Sequence, residues 1–422
     1  MKQDMKSHGN PIKVFYAGSL PKFGSVGTHP QFGHLASPPS GYEFVNSGVL
    51  RSGNLPHLAA SSLKFFGYAL TKGAKPDDII NFIKTRGLRT QLQVPLDVQL
   101  AFLPTWPYIV NQLPWVVEIE DATTLFAPLM AVGGTRTIED FDDCPLYKTV
   151  KALMESDDCR GIISHVKSTA DGIPVLFKNE ALKKKVTHIP LGVKLPDLIV
   201  PSHQKDDETI NILFTNSWHQ GTDNFYLRGG LDLLEAFSIL CKKYSNIRLI
   251  IRSRIPSDLN EYYNNLIIDN WRIKVIDQFI PNSCMQKILA DTSIYVLPSA
   301  RLHVVAILQA MANAIPVIVS DGWGIQEYVE DGWNGIVVKG RYGKSSWMDE
   351  QKGIIRENHQ SLFSGDPAVV NNLVEAFSRL IENPDLRKQL GQNARKDVEL
   401  KFSLTNWNDG LKKAFDRAMT RA

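Results

Sequence analysis

Short apolar runs rich in β-branched residues alternate along the chain with amphipathic stretches. The runs fall at 12–17 (IKVFYA), 115–119, 161–164, 186–189, 210–215 (INILFT), 247–252 (IRLIIR), 273–276, 293–297, 316–319 (PVIV) and 335–338. Several are continuously apolar rather than alternating, which is how strands covered on both faces read. Helical spacing predicts helices at 229–244, 258–268, 283–290, 304–313, 325–330, 367–382, 384–401 and 404–421. Strands separated by helices imply parallel βαβ units. The alternation occurs twice, from residue 12 to about 190 and from about 209 to 340. The Pro-bearing, patternless stretch VKLPDLIVPSHQKDDET (193–209) between the two series reads as a linker. The expected fold class is α/β, with two doubly wound, Rossmann-like parallel-sheet domains facing across a cleft. Ligands belong at the carboxyl ends of such strands. The long polar segment 340–366 reads as a functional lid or a disordered insertion.

Composition sets limits on that picture. A length of 422 residues suggests two to three domains at roughly 150 residues each. Hydrophobic residues make up 43% and charged residues 22%, which suits large cores and excludes a largely disordered chain. With Lys+Arg 47 against Asp+Glu 44, the net charge of +3 gives no case for nucleic-acid binding. Cys144, Cys159, Cys241 and Cys284 are far apart and form no CxxC pair. They read as reduced buried thiols, not as a zinc site or a disulfide framework. No run reaches the roughly 18 apolar residues of a membrane span, and no apolar leader precedes Lys13, so a cytoplasmic location is expected. Segment 62–92 mixes aromatics with Lys64, Lys72, Lys75, Lys84, Arg86 and Arg89. It reads as a solvated helix pair covering the sheet, with peripheral contact to an anionic inner membrane face as the alternative.

Two stretches of the second series carry candidate chemistry. From Ile210 onward, a strand ends near Thr215, a polar loop follows, and Arg228-Gly229-Gly230 opens a helix. A helix N-terminus offers free N–H groups and a positive dipole end, glycines admit a ligand close to the backbone, and a guanidinium matches phosphate oxygens. The combination makes a pyrophosphate cradle; a surface turn with a solvated arginine is the plainer alternative. In 294–338, a strand ends at Pro298-Ser299 and a turn leads into a helix carrying Gln309-Ala310-Met311-Ala312. PVIV is then followed by Asp321-Gly322-Trp323-Gly324 and Glu327. That order places both loops on one edge of the sheet. Gln309, two turns into its helix, can reach a ribose hydroxyl, and Glu327 can do the same or cap the backbone that follows.

These residues resemble the signature of glycosyltransferase family 4, which has the GT-B fold. The resemblance runs through Pro298-Ser299, Ala310-Met311-Ala312, Pro316-Val317, Ser320-Asp321, Gly324, Glu327 and Asn334-Gly335, with Arg228-Gly229 standing for the family's Lys-Gly helix opening. Asn383-Pro384, Leu390-Gly391 and Phe402-Ser403 are similar to the family's closing helices. It covers about 160–422 well and 11–160 loosely. Three departures stand out. Gln309 replaces the family's second glutamate, and Arg301 (or Leu302, if the loop is one residue short) replaces the first. Leu302-His303-Val304 occupies the family's Gly-Phe-Gly-like turn. The family's arginine after the first C-domain strand is missing, with Arg252 and Arg254 as candidate substitutes.

The resemblance implies an enzyme that moves a sugar from a nucleotide-diphosphate sugar to a saccharide or lipid-linked acceptor. It implies retention of configuration and no metal or other cofactor, with cationic groups neutralising the leaving diphosphate. The implied domains are 1–196 for the acceptor, a linker at 197–208, 209–402 for the donor, and a helix at 403–422 that packs back on the N-terminal domain. Arg228, Glu120 and Arg301 are then catalytic candidates. Ser217, Gly229, Arg252, Arg254, His303, Gln309, Gly324 and Glu327 are donor candidates.

In the N-terminal half, the loop after the first strand carries His29 and His34, candidates for acceptor contacts or simply exposed side chains. Glu118 and Glu120 end WVVEIED on one face of a strand. Glu118 is an acceptor candidate; a structural carboxylate paired with Arg136 or a lysine is the other reading. Trp106, Tyr108 and Trp115 read as core. The loss of both family glutamates also admits a non-catalytic relative that binds a nucleotide or glycan, and more weakly a sugar-nucleotide epimerase.

Overall fold

The structure is a computed structural model that describes residues 10–17, 37–46, 53–85, 93–104, 107–126, 146–196, 209–216, 222–300, 302–341, 346–349, 354–357 and 360–420. The first sheet contains β1 (Ile12–Tyr16), β2 (Tyr42–Val45), β3 (Leu100–Pro104), β4 (Trp115–Glu118), β5 (Cys159–Ser164) and β6 (Val186–His188). Its order is β2-β1-β3-β4-β5-β6, and every pair is parallel. The second contains β7 (Ile210–Thr215), β8 (Ile247–Arg252), β9 (Ile273–Val275), β10 (Ile294–Leu297), β11 (Val317–Ser320) and β12 (Gly335–Val338). Its order, β12-β11-β10-β7-β8-β9, is also parallel throughout. The chain reverses direction across that sheet between β7 and β10, and such a switch point leaves a crevice at the strand ends.

The central expected strands recur because their residues are buried on both faces, whereas β8 alternates and β6 and β9 are only partly buried. All four residues of β4, β10 and β11 are buried, and Ile212, Leu213 and Phe214 of β7 are 0% exposed. The reading missed β2 and β3. Tyr42–Val45 is short and alternates, with Glu43 exposed, and Leu100–Pro104 lies among prolines that signal turns. The helix expected at 325–330 is a single 3-10 turn, Ile325–Glu327, entered through Gly324 in the left-handed region at φ +77. The basic segment folds into helices Asn54–Thr71 and Pro76–Thr85. Cys159 is buried, its thiol pushed by burial up to about 12, but Cys241 is half-buried and Cys284 exposed, so the expectation of buried thiols holds for one of these three. Cys144 and residues 197–208 lie outside the described residues.

The helices are capped as their sequences ask. Asp366 accepts from the Ala368 amide at 3.0 Å, and Asn383 from the Leu386 amide at 2.9 Å. Helix Gly230–Lys243 carries Asp232 in its first turn and Lys242 and Lys243 in its last, matching its dipole. The final helix, Leu404–Thr420, buries Trp407, Leu411 and Phe415 and lies against β4 and β5 of the first sheet. There the Phe415 ring meets Phe102 at 5.5 Å and Tyr42 at 5.2 Å, and Tyr42 Oη donates to Asp416 at 2.7 Å.

Segment 340–366 contains a two-stranded antiparallel hairpin, β13 (Ser346–Asp349) and β14 (Ile354–Glu357). Its second strand touches helix Lys167–Leu176 and the turn Ala122–Phe126 of the first domain. Its base is clamped in the second domain. Arg341, 5% exposed, donates to Asp232, 1% exposed, at 2.8 and 2.7 Å and to the carbonyls of Ser361 and Ser364.

Candidate active site

The switch point of the second sheet supplies one wall. Gly229 has φ +77, and a methyl group there would run into the Pro298 carbonyl oxygen at the end of β10. Only glycine lets the opening of helix Gly230–Lys243 lie against that strand end. Arg228, just before it, is 3% exposed and donates to the Thr215 carbonyl at 3.2 Å. It also meets His303 Nδ1 at 3.0 Å. A guanidinium has no acceptor, so His303 Nδ1 must accept, and the proton of the neutral imidazole sits on Nε2. Arg228 and His303, chosen separately from the sequence, thus form one unit joining the end of β7 to the start of helix Val304–Ala312. His303 is also the residue that precedes helix Val304–Ala312, whose first-turn N–H groups open at the same edge.

The other donor candidates are more spread. Arg252 donates to the Asn216 carbonyl at 2.6 Å, and burial lowers its pKa from the usual arginine value. Arg254 is exposed two residues further on. Gln309 is half-buried on its helix, one turn before Asn313, whose side chain donates to its carbonyl at 2.8 Å. Ser217 and Arg301 lie outside the described residues, as do His29 and His34.

The first domain supplies the facing wall. Glu118, the last residue of β4, and His165, just past β5, are both 0% exposed. His165 Nδ1 donates to Glu118 at 2.6 Å, and its Nε2 stands 3.7 Å from Glu120, whose side chain is 29% exposed. Desolvation works against charge on His165, but Glu118, then Glu120 and Glu327, outweigh it and raise the pKa above the usual histidine value. The imidazole thus stands between Glu118 and Glu120, with Glu120 as the partly open end. Glu118 and Glu120 come together as their shared strand face implies. Among the described residues their partner is His165, and Arg136, considered from the sequence, lies outside the described residues. The reading missed His165 although it follows a predicted strand, at the edge where ligands bind. His188, at the end of β6, has its pKa lowered by burial.

Glu327 ties the two walls together. Its carboxylate accepts from the amides of Lys167 and Ser168 at 2.5 and 3.0 Å and from Ser168 Oγ at 2.6 Å. A side chain of the second domain thus caps helix Lys167–Leu176 of the first, where the positive dipole end favours a carboxylate. Next to it, Tyr328 Oη donates to the His165 carbonyl at 2.5 Å and accepts from the Leu191 amide at 3.1 Å. Gly324 completes the contact: a methyl group there would stand 3.2 Å from Val166.

Two parallel, doubly wound domains with a site at the carboxyl ends of their strands define the GT-B class. Residues 221–351 match the family described as glycosyl transferases group 1. That match lies within the second domain. Among solved structures, a glycosyltransferase from Rickettsia africae is similar at 13% identity and TM-score 0.58, covering 98% of this chain and 100% of that one. A sucrose-phosphate synthase from Thermosynechococcus elongatus aligns at 16% identity and TM-score 0.51, covering 76% of this chain and 73% of its own. Anabaena HepE, solved in complex with UDP, aligns at 13% identity and TM-score 0.52, covering 76% of this chain and 79% of its own. No curated protein matches the chain.

Proposed function

We propose that this protein transfers a sugar, with retention of configuration, from a nucleotide-diphosphate sugar to a saccharide or lipid-linked acceptor in glycoconjugate assembly. The observation that carries the reading is the pairing of a cationic switch-point wall with a carboxylate–histidine wall across one cleft. In this reading, the diphosphate lies at the helix N-terminus behind Gly229, where Arg228 offsets the charge that grows on the leaving group. Gln309 holds the ribose by a neutral hydrogen bond in place of a charge-assisted one. Glu120 receives the acceptor hydroxyl, with His165 and Glu118 fixing its orientation. The acceptor hydroxyl attacks the sugar face from which the diphosphate leaves, and its proton passes to the departing phosphate oxygen. The residues assigned here need no metal to neutralise the diphosphate.

The test is nucleoside diphosphate release from a panel of UDP-, GDP-, ADP- and dTDP-sugars, with UDP-sugars first because HepE was solved with UDP. Release from one donor, reduced roughly 100-fold or more in Arg228→Ala, is the expected result. One specific feature favours a second reading, a relative that binds nucleotide without turnover: Gln309 stands where the resembled family has a carboxylate. A thermal shift with one nucleotide and no release from any donor, with glycolipid acceptors present, would select it.

A further inference from the structure

Tyr16, Glu118 and His165 stand together beneath the final helix. Tyr16 is the last residue of β1, Glu118 the last of β4 and His165 the first past β5, and all three are 0% exposed. The strand register puts the first two on one face of the sheet. Tyr16 lies opposite Phe102, Phe102 opposite Val116, and Glu118 is two residues beyond Val116. His165 joins them through its bond to Glu118. Helix Leu404–Thr420 covers that face. The Tyr16 ring stacks on Phe44 at 5.2 Å and meets Phe102 at 6.0 Å, and both of those rings meet Phe415, at 6.2 and 5.5 Å. The Asn46 side chain donates to the Tyr16 carbonyl at 3.3 Å and fixes the strand end.

The polar ends of these side chains are complementary. Glu118 gives one oxygen to His165 Nδ1 at 2.6 Å, and its other oxygen, Oε2, is buried without a partner among the described residues. Tyr16 Oη is buried and unpartnered among them as well. One atom is an acceptor and the other a donor, and each is costly to leave unpaired. Burial, and after it the charge of Glu118, raises the Tyr16 pKa above the usual tyrosine value, so the hydroxyl keeps its proton. Two enclosed polar groups of this kind, close but not bonded to each other, are what an internal water joins. The other titratable groups facing His165 are Glu120, Glu327 of the second domain, and Tyr328 and His188, which reach its backbone.

We infer that Tyr16 is a positioning residue: its hydroxyl donates through one internal water to Glu118 Oε2 and so holds that carboxylate against His165. Through His165 that hold reaches Glu120, which the transfer reading gives to the acceptor. Only the acceptor measurement below rests on that reading.

The test follows the His165 imidazole of the full chain by nitrogen NMR as the pH is raised. When the Glu118–His165 pair loses its last proton it gains a net negative charge, and a donor from Tyr16 stabilises that form most. Tyr16→Phe keeps the ring and removes the donor, so the pair should hold its proton more tightly. The midpoint should rise by about 0.5–1 pH unit, a three- to tenfold change in proton affinity. In a Glu118→Gln background, Tyr16→Phe should not move the His165 midpoint. Phe44→Leu disturbs the same packing without touching a polar atom. It should leave the midpoint in place or lower it, because loosening admits water and returns His165 toward the usual histidine value. With donor and acceptor supplied, Tyr16→Phe should raise the acceptor KM about three- to tenfold and leave the donor KM unchanged. A midpoint in Tyr16→Phe that stays or falls, the same rise in the Glu118→Gln background, or an unchanged acceptor KM in an active enzyme would each overturn the inference. A risen midpoint in a protein whose wild type transfers no sugar would support the role of Tyr16 and remove the transfer reading instead.

Discussion

The two walls of the cleft are built differently. The wall in the second domain is assembled within that domain: a left-handed glycine against a strand end, and an arginine tied to the end of β7 and to His303 before helix Val304–Ala312. The wall in the first domain is assembled from charge, and it is finished by its neighbour. Glu327 and Tyr328 reach over from the second domain to cap one helix and to hold the His165 carbonyl. A wall fixed by backbone sterics stays formed when the domains part. A wall that borrows its cap does not, so acceptor binding, but not donor binding, should depend on closure.

The largest expected effect tests how far the first domain leans on the chain's end. Phe415→Ala empties a site against Phe102 and Tyr42 and should cost about 3–5 kcal/mol. Urea unfolding should show the loss, and an unchanged midpoint would mean the final helix is not integral to that domain. Next, Gly229→Ala should cost roughly 1–2 kcal/mol from the left-handed backbone alone, with the clash against Pro298 added. Nucleotide affinity should fall with it, and retention of both would break the account of the donor wall. Glu327→Gln should cost about 0.5–2 kcal/mol, the usual range for a lost cap, and raise the KM for acceptor while leaving nucleotide affinity unchanged. An equal effect on both ligands would erase the contrast.

The finest test is pH. His165 has a raised pKa in the folded state, so its charged form contributes stability in full below its unfolded pKa. That contribution disappears as pH rises through the folded value. The wild type should therefore lose more stability than His165→Asn between neutral and alkaline pH. Parallel curves for the two proteins would show that His165 is not held charged.

Most of the second domain was legible from its sequence, because its strands are continuous apolar runs and its glycines punctuate them. The first domain was less so. β2 and β3 are short, flanked by prolines, and depend on long-range pairing to exist. Arg228 and Gly229 could be chosen from local spacing. The partnership of Arg228 with His303 joins residues 75 positions apart, which local pattern does not encode. Glu327 shows the same limit more sharply. Its place after a strand marked it as a site residue, but the helix it caps is 160 positions away in the other domain.

The clamp between Arg341 and Asp232 has a mechanical consequence. Because one buried ion pair pins both ends of the hairpin segment, the cost of closing that loop is borne inside the second domain alone. The hairpin thus behaves as a cantilever: anchored at one end, with β14 resting on the neighbouring domain. Any separation of the domains must lift that free end off helix Lys167–Leu176, so a probe on the hairpin would register opening as directly as a probe in the cleft.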